Sequence, residues 1–263
     1  MAETTGRYSW KKRVLLIVGG GILFLLVFVF AIPIANLQSQ SSAAVSMLSM
    51  TSVDELEIHS AKLDAVEAPN ATAEISSYLG RRAVKLVNRA GVTPAGQPAN
   101  GETIAILKGS DFKDGTIEAE VVGLPRAGAQ PDVRGFVGIA FRVAAHGSKY
   151  ESISLRQTNG RADDQLRRNH STQYASYPYF PWHRLRDENP GVYESYVDLE
   201  PAGWTKIKIV VAGNTARLYV NGAEQPCLIV NDLKLGETPG QIALWVGTDT
   251  EGYFSKLTVN PAN

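Results

Sequence analysis

The sequence is nearly free of cysteine, since Cys227 is the only one among 263 residues. A single cysteine excludes an intramolecular disulfide, so a folded domain must rely on its hydrophobic core. Cys227 lies in the apolar, strand-like stretch QPCLIV. We expect a buried, unreactive thiol there rather than a nucleophile.

Motifs that would assign an enzyme class are also missing. The sequence has no P-loop, no dinucleotide-binding fingerprint and no Ser/His/Asp motif. His170 and His183 are too far apart, with too few ligating neighbours, to indicate zinc. No cofactor is expected. A structural calcium ion is possible at two acidic groups, Asp163-Asp164 and Asp249 with Glu251. Their spacing is not diagnostic of calcium binding.

Neither sign of charge dominates the chain, which has 26 basic and 26 acidic residues. Nucleic-acid-binding domains are usually strongly basic, so we expect no nucleic acid partner. The first 13 residues contain four basic residues and one acidic residue: Arg7, Lys11, Lys12, Arg13 and Glu3. The rest of the chain has 22 basic and 25 acidic residues and is therefore slightly acidic.

One long uncharged run, residues 14–34, follows this basic start. As a helix it would span roughly the ~30 Å hydrocarbon layer of a bilayer. A cleaved signal peptide is the alternative, but its apolar region is usually only about 7–15 residues long. We predict a cytoplasmic N-terminus over residues 1–13, a transmembrane helix over 14–34 and a linker over 35–52. The positive-inside tendency then places residues 53–263 outside the cytoplasm, in a single-pass membrane protein.

Strand-like segments separated by turn residues fill the chain after residue 53, and no useful helix-period run interrupts them. Side chains alternate in a strand, so DGTIEAEVVG places Glu118 and Glu120 on one face and apolar residues on the other. By the same rule RGFVGIAFRV places Val137 and Val143 together on the core face and Arg142 on the opposite one. KYESISLRQ presents Arg156 on its polar face. About a dozen such strands predict antiparallel sheets packed as a sandwich.

The order FKDGTIEAEV, GFVGIAFRV, YESISLRQTNG, WTKIKIVV and ARLYVNG resembles that of concanavalin A-like lectin/glucanase jelly rolls. Laminin-G-like and 3-keto-disaccharide hydrolase-type domains of bacterial exported proteins are the nearest relatives by this resemblance. It covers about residues 53 to 261 and implies an all-β antiparallel jelly roll. Such relatives include lectins, glycan-cleaving enzymes and adhesion modules, so the resemblance does not assign an activity.

Glu118 and Glu120 are the candidate acidic pair, compatible in spacing with acid/base catalysis at a glycosidic bond. The retaining glucanases of this fold carry a Glu-x-Asp-x-x-Glu strand, and the corresponding stretch here ends at Gly123 without the third carboxylate. The alternative is a solvated sheet face on which these carboxylates pair with Arg142 or Arg156.

Residues 135–186 form the richest candidate surface, because forked and directional hydrogen-bonding groups occur there beside aromatic rings. Sugar recognition needs both kinds of group. The alternative is a long segment packed over the sandwich, with buried aromatics and ion-paired arginines. The candidate ligand-binding residues are Arg142, Arg156, Asn159, Gln165, Arg168, Asn169, His170, Gln173, Tyr174 and Trp182, with Tyr177, Tyr179 and Phe180 as further flat apolar faces.

These features favour a membrane-anchored, extracytoplasmic domain that binds carbohydrate. A glycoside hydrolase or lyase and an adhesion module with a protein partner stay open as alternatives. The carbohydrate hypothesis in its full form requires the outward side chains of Glu118, Glu120, Arg142 and Arg156 to share one accessible face.

Overall fold

A computed structural model describes residues 66–69, 71–88 and 103–262. These residues belong to one compact unit, Ser52–Asn263. The predicted segments 1–13, 14–34 and 35–52 lie outside the described residues. None of the helices in the described ranges is long and apolar enough to span a membrane.

Strands dominate the described part of the chain, as the alternating pattern predicts. The strands are β1 (Val66–Glu67), β2 (Ala71–Tyr78), β3 (Arg81–Asn88), β4 (Thr103–Leu107), β5 (Gly115–Pro125), β6 (Phe136–Val143), β7 (Tyr150–Arg156), β8 (Thr172–Tyr177), β9 (Glu194–Ser195), β10 (Thr205–Ala212), β11 (Thr215–Val220), β12 (Leu228–Val230), β13 (Gln241–Val246) and β14 (Thr250–Pro261). Two short helices join them, α1 (Gln165–Asn169) and α2 (Trp182–Glu188).

The strands form two seven-stranded antiparallel sheets. Sheet A has the order β1-β4-β13-β6-β7-β8-β9, and sheet B has the order β12-β11-β10-β5-β14-β3-β2. Apolar side chains from both sheets meet in one large core, to which β5 contributes Ile117 and Val121, and β6 and β7 contribute Ile139 and Ile153. Each such fully buried aliphatic side chain stabilises the fold by about 1.5–3 kcal/mol. The predicted all-β antiparallel sandwich is confirmed.

The alternation in β6 breaks at Arg142, whose φ of 52° lies in the left-handed region. The pairing with β13 also shifts register between Gln241 and Ala243, which indicates a β-bulge. A bulge adds one residue to one strand and so reverses the facing of the residues after it. Val143 therefore packs with Ala140 on the outer side of sheet A, and the prediction that it shares the core face with Val137 was wrong.

A second correction concerns the shared wall of charged residues. Glu118 and Glu120 lie on β5 in sheet B, whereas Arg142 and Arg156 lie on β6 and β7 in sheet A. Glu118 and Glu120 face outward from sheet B, and Arg156 faces outward from sheet A. The side chain of Arg142 is buried at the bulge and bonds to Asp114 instead. The expectation of one accessible face common to all four was wrong, because consecutive strands β5 and β6 belong to different sheets.

Candidate functional site

The outer face of sheet A, which is turned away from sheet B, carries a transverse row of residues fixed by strand register. Trp245 is paired with Gly138, Gly138 with Ser154, Ser154 with Gln173, and Gln173 with Glu194. The row is apolar at its β13 end and polar at its β8–β9 end. Candidate functional groups therefore gather where β7, β8 and β9 meet.

At that polar end, Glu194 is held between two guanidinium groups. Arg156 Nη1 donates to Glu194 Oε1 at 2.7 Å, and Arg186 Nε donates to Glu194 Oε2 at 2.8 Å, with a second bond from Arg186 Nη2. Arg156 Nη2 donates to Gln173 Oε1 at 2.8 Å, which fixes the guanidinium plane. His170 Nε2 lies 3.6 Å from Glu194 Oε2. We call these five residues together with Trp182 the Arg156 cluster.

An aromatic ring completes the Arg156 cluster at the surface. Trp182, the first residue of α2, is 41% exposed. The guanidinium carbons of Arg186 and Arg156 lie 4.7 and 5.6 Å from its ring centroid. The guanidinium carbon of Arg156 also lies 5.7 Å from the ring centroid of Phe136. Flat apolar rings thus sit directly beside forked hydrogen-bond donors.

The charges in the Arg156 cluster are set by this geometry. Burial alone would raise the pKa of Glu194, but the hydrogen bonds and charges of Arg186 and Arg156 outweigh it and hold the pKa below its ordinary value. Partial burial and the two arginines lower the pKa of His170, although Glu194 opposes them. At neutral pH the cluster therefore contains an ionised Glu194, two arginine cations and a neutral imidazole.

Four further candidates lie in or next to α1, the helix that follows β7. The buried amide of Asn159 donates from Nδ2 to the carbonyl of His170 at 3.0 Å, which fixes the backbone of this cluster residue. Gln165 and Asn169 bond to each other at 2.7 Å. Arg168 Nη2 donates to the hydroxyl of Tyr196 at 2.9 Å. These α1 side chains lie on the surface beside the cluster.

Tyr174 and Arg142 lie away from the Arg156 cluster. Tyr174 points between the sheets, where its hydroxyl donates to Glu151 Oε2 at 2.6 Å, and burial is the main cause that raises its pKa. Arg142 is fully buried and holds loops together instead: it donates to the carbonyls of Lys113 at 3.0 Å, Gly213 at 2.7 Å and Gly236, and to Asp114 at 3.0 Å.

Glu118 and Glu120 are ion-paired on the outer face of sheet B. Lys206 Nζ lies 3.1 Å from Glu118, and Lys256 Nζ lies 3.1 Å from Glu120, which also pairs with Arg81. The solvated-face interpretation matches this geometry, although the partners are not Arg142 and Arg156. Each carboxylate is therefore engaged by a lysine or arginine side chain of the same sheet.

One member of each acidic group considered for calcium has a partner in the protein. Asp164 caps α1 by accepting from the Arg167 amide at 2.9 Å, and Glu251 pairs with Lys85 at 3.0 Å. Within the described ranges, no group of three or more His, Cys, Asp or Glu residues could hold a metal ion. The thiol of Cys227 is half-buried, and burial raises its pKa to about 11, so it is protonated and unreactive at neutral pH.

No protein-family model and no curated protein matches this sequence. Among solved structures, a protein of unknown function with a galectin-like fold from Bacillus subtilis is similar with a TM-score of 0.50 and 12% identity, covering 75% of this chain and 90% of that one. The fold is a galectin-like jelly roll, as the resemblance of the sequence implied. The carbohydrate-binding module CBM66 from Bacillus subtilis gives a TM-score of 0.49 at 12% identity, covering 74% of this chain and 95% of that one.

The exoplasmic/lumenal domain of VIP36, in its Ca²⁺/Man3GlcNAc-bound form, gives a TM-score of 0.47 at 10% identity, covering 77% of this chain and 86% of that one. The finer resemblance to laminin-G-like and 3-keto-disaccharide hydrolase-type domains stays a prediction.

Within this jelly roll, the structure brings together Arg156, His170, Gln173 and Trp182 from the predicted set. It adds Glu194, Arg186 and Phe136, which sequence reasoning missed as site residues. The signal for Glu194 was its charge alone, because a buried arginine on a sheet face requires a carboxylate partner. Nothing in the sequence indicated which carboxylate that was.

Proposed function

We propose that this protein is a membrane-anchored, extracytoplasmic jelly-roll domain that binds carbohydrate at the Arg156 cluster. The observation that carries the proposal is the exposed Trp182 ring beside forked and directional hydrogen-bonding groups. A sugar ring has an apolar C–H face and a hydroxyl edge, so it needs an apolar platform with polar groups at its rim. Trp182 supplies the platform, and Arg186 and His170 supply the rim.

The cluster is also preorganised, which favours binding. Glu194 holds both Arg156 and Arg186. Arg156 also donates to Gln173 and to the His170 carbonyl. Side chains fixed before a ligand arrives lose little conformational entropy on binding. A solvated surface arginine would lose more, so we expect useful affinity from a small contact area.

The chemistry of this cluster favours binding over hydrolysis. Glycoside hydrolysis ordinarily uses two carboxyl groups, one of them protonated at the working pH. In the Arg156 cluster the carboxyl group is that of Glu194, and two arginines keep it ionised. We therefore expect that incubation with glycosides or 3-keto-glycosides releases no product.

The proposed anchor is residues 14–34 with the basic residues before them. Alkaline or high-salt washing should leave the full chain in the membrane fraction if this helix is retained. Soluble mature protein after such washing would mean that the N-terminus is cleaved.

A glycan array tests the binding proposal. The full chain, in a detergent without a sugar head group, is compared with Trp182→Ala and with the control Tyr219→Ala, an aromatic residue on β11 of sheet B. We expect glycan binding by the unaltered and control proteins and its loss in Trp182→Ala. Equal binding by both variants would remove the site, and absence of any bound glycan would overturn the function in favour of a protein partner.

A further inference from the structure

The Arg156 cluster carries more positive than negative charge, and this imbalance bears on the kind of sugar that it selects. Arg156 and Arg186 share the single carboxylate of Glu194, and His170 is neutral. The cluster therefore has one positive charge in excess. A neutral sugar would leave that charge uncompensated, whereas an anionic one would balance it.

Two further arginines, Arg167 and Arg134, lie on the neighbouring surface. Asn159, which supports His170, also accepts from Arg167 Nε at 3.3 Å, so Arg167 is next to the cluster. Arg134 is close enough for the charge of Arg167 to act on it: partial burial and that charge lower the pKa of Arg134, and Asp132 opposes them. In the described part of the chain, neither Arg134 nor Arg167 forms a salt bridge with a carboxylate.

Arg186 is the group best placed to contact an anion. Its Nε and Nη2 atoms hold Glu194 in a forked arrangement, and within the described ranges its Nη1 atom has no hydrogen bond to the protein. The side chain is 31% exposed and lies over the Trp182 ring. A guanidinium can bind a second carboxylate along its free edge while it keeps the first. The sugar ring that carries this second carboxylate would then lie against the indole.

We propose that the Arg156 cluster selects a carboxylated sugar, of the uronate class, through the free edge of Arg186. This inference rests on the proposed carbohydrate-binding function and narrows it to one chemical class of ligand. Arg134 and Arg167 add long-range attraction for the negatively charged chain. A neutral glycan gains nothing from the excess charge, so it should bind this surface more weakly than an anionic one.

The test compares two ligands with the same sugar backbone, one with ionised carboxyl groups and one with neutral methyl esters. Calorimetric titration of the full chain uses a galacturonate oligomer and the same oligomer fully methyl-esterified, at low and at moderate salt. We expect the free acid to bind at least about tenfold more tightly, because charge-assisted hydrogen bonds exceed neutral ones by about that factor. We also expect its affinity to fall as salt is added.

Variants on α2 assign the effect to Arg186. Arg186→Gln should remove the preference for the free acid, and Arg186→Lys should retain part of it, because the charge remains while the fork is lost. Arg184→Gln is the matched control, since Arg184 lies on the same helix and pairs with the exposed Glu188. If Arg186→Gln fails to fold, the two-ligand comparison still tests the preference for the acid, and Arg186→Lys still tests the role of Arg186.

Equal affinity for the acid and its ester would overturn this inference and leave the carbohydrate-binding function intact. Binding of neither oligomer, together with binding of neutral glycans on the array, would also overturn it. A preference for the acid that survives in Arg186→Gln would refute the role of that residue.

Discussion

The Arg156 cluster makes a quantitative prediction about stability, because Glu194 is a buried charge with two cationic partners. Its side chain is 2% exposed, and that of Arg156 is 7% exposed. At their separation of 2.7 Å, the Coulomb attraction is on the order of 6 kcal/mol for an effective dielectric constant of about 20. Desolvation offsets part of this, so removing one partner of such a pair costs about 3–5 kcal/mol.

Glu194→Gln keeps the size and one acceptor, so we expect the lower end, a loss of about 3 kcal/mol in the free energy of unfolding. Glu188→Gln is the control: it breaks an Arg–Glu pair of the same kind on α2, whose carboxylate is 48% exposed. Exposed pairs contribute only about 0.3–0.5 kcal/mol. The assay is equilibrium unfolding in urea, which does not screen charges as guanidinium salts do, followed by tryptophan fluorescence. Equal, small losses in both variants would refute the buried ion-pair account.

Three further predictions follow from the same contacts. Because the pKa of Glu194 is lower in the folded state, its contribution is present above its ordinary value of 4.5 and is lost as pH falls through the folded value; the stability gap between the unaltered protein and Glu194→Gln should shrink below about pH 4.5. A gap that is constant with pH would contradict this. Arg142→Met should destabilise the fold by about 3 kcal/mol in thermal or urea unfolding, because it leaves loop carbonyls and Asp114 without their donor, yet it should not change glycan affinity. The double variant Glu118→Gln with Glu120→Gln should bind glycans normally in titration, since both residues lie on sheet B; a loss of binding would move the site to that sheet.

Local pattern predicted the strands and their faces well, and long-range pairing explains what it missed. The alternation of Ile117, Glu118 and Ala119 holds in the structure, because side-chain facing depends only on neighbouring residues in a strand. Which sheet a strand joins depends on pairing between distant segments. β5 pairs with β10 and β14, whereas β6 pairs with β7 and β13, and no periodicity within either strand records that.

In the candidate site, too, local alternation was predictable from the sequence and long-range pairing was not. Gln173 and Tyr174 are consecutive on β8, so they face opposite sides, and the alternation rule could have excluded one of them beforehand. The bulge at Arg142 depends on a left-handed backbone that arginine rarely adopts, so the sequence held no signal for it. Glu194 reaches Arg156 only because β9 pairs with β8, although 16 residues (178–193) separate the two strands in the sequence.

The most direct measurement of where a glycan binds uses the indole N–H signals of the four tryptophans in an NMR titration of the full chain. Trp182 lies in the Arg156 cluster, and Trp204 lies by the outer face of sheet B, where it packs against Tyr78. Assignment follows from Trp182→Phe and Trp204→Phe. We expect added glycan to shift the Trp182 signal saturably and to leave the Trp204 signal in place. A saturable shift at Trp204 with Trp182 unmoved would contradict this expectation.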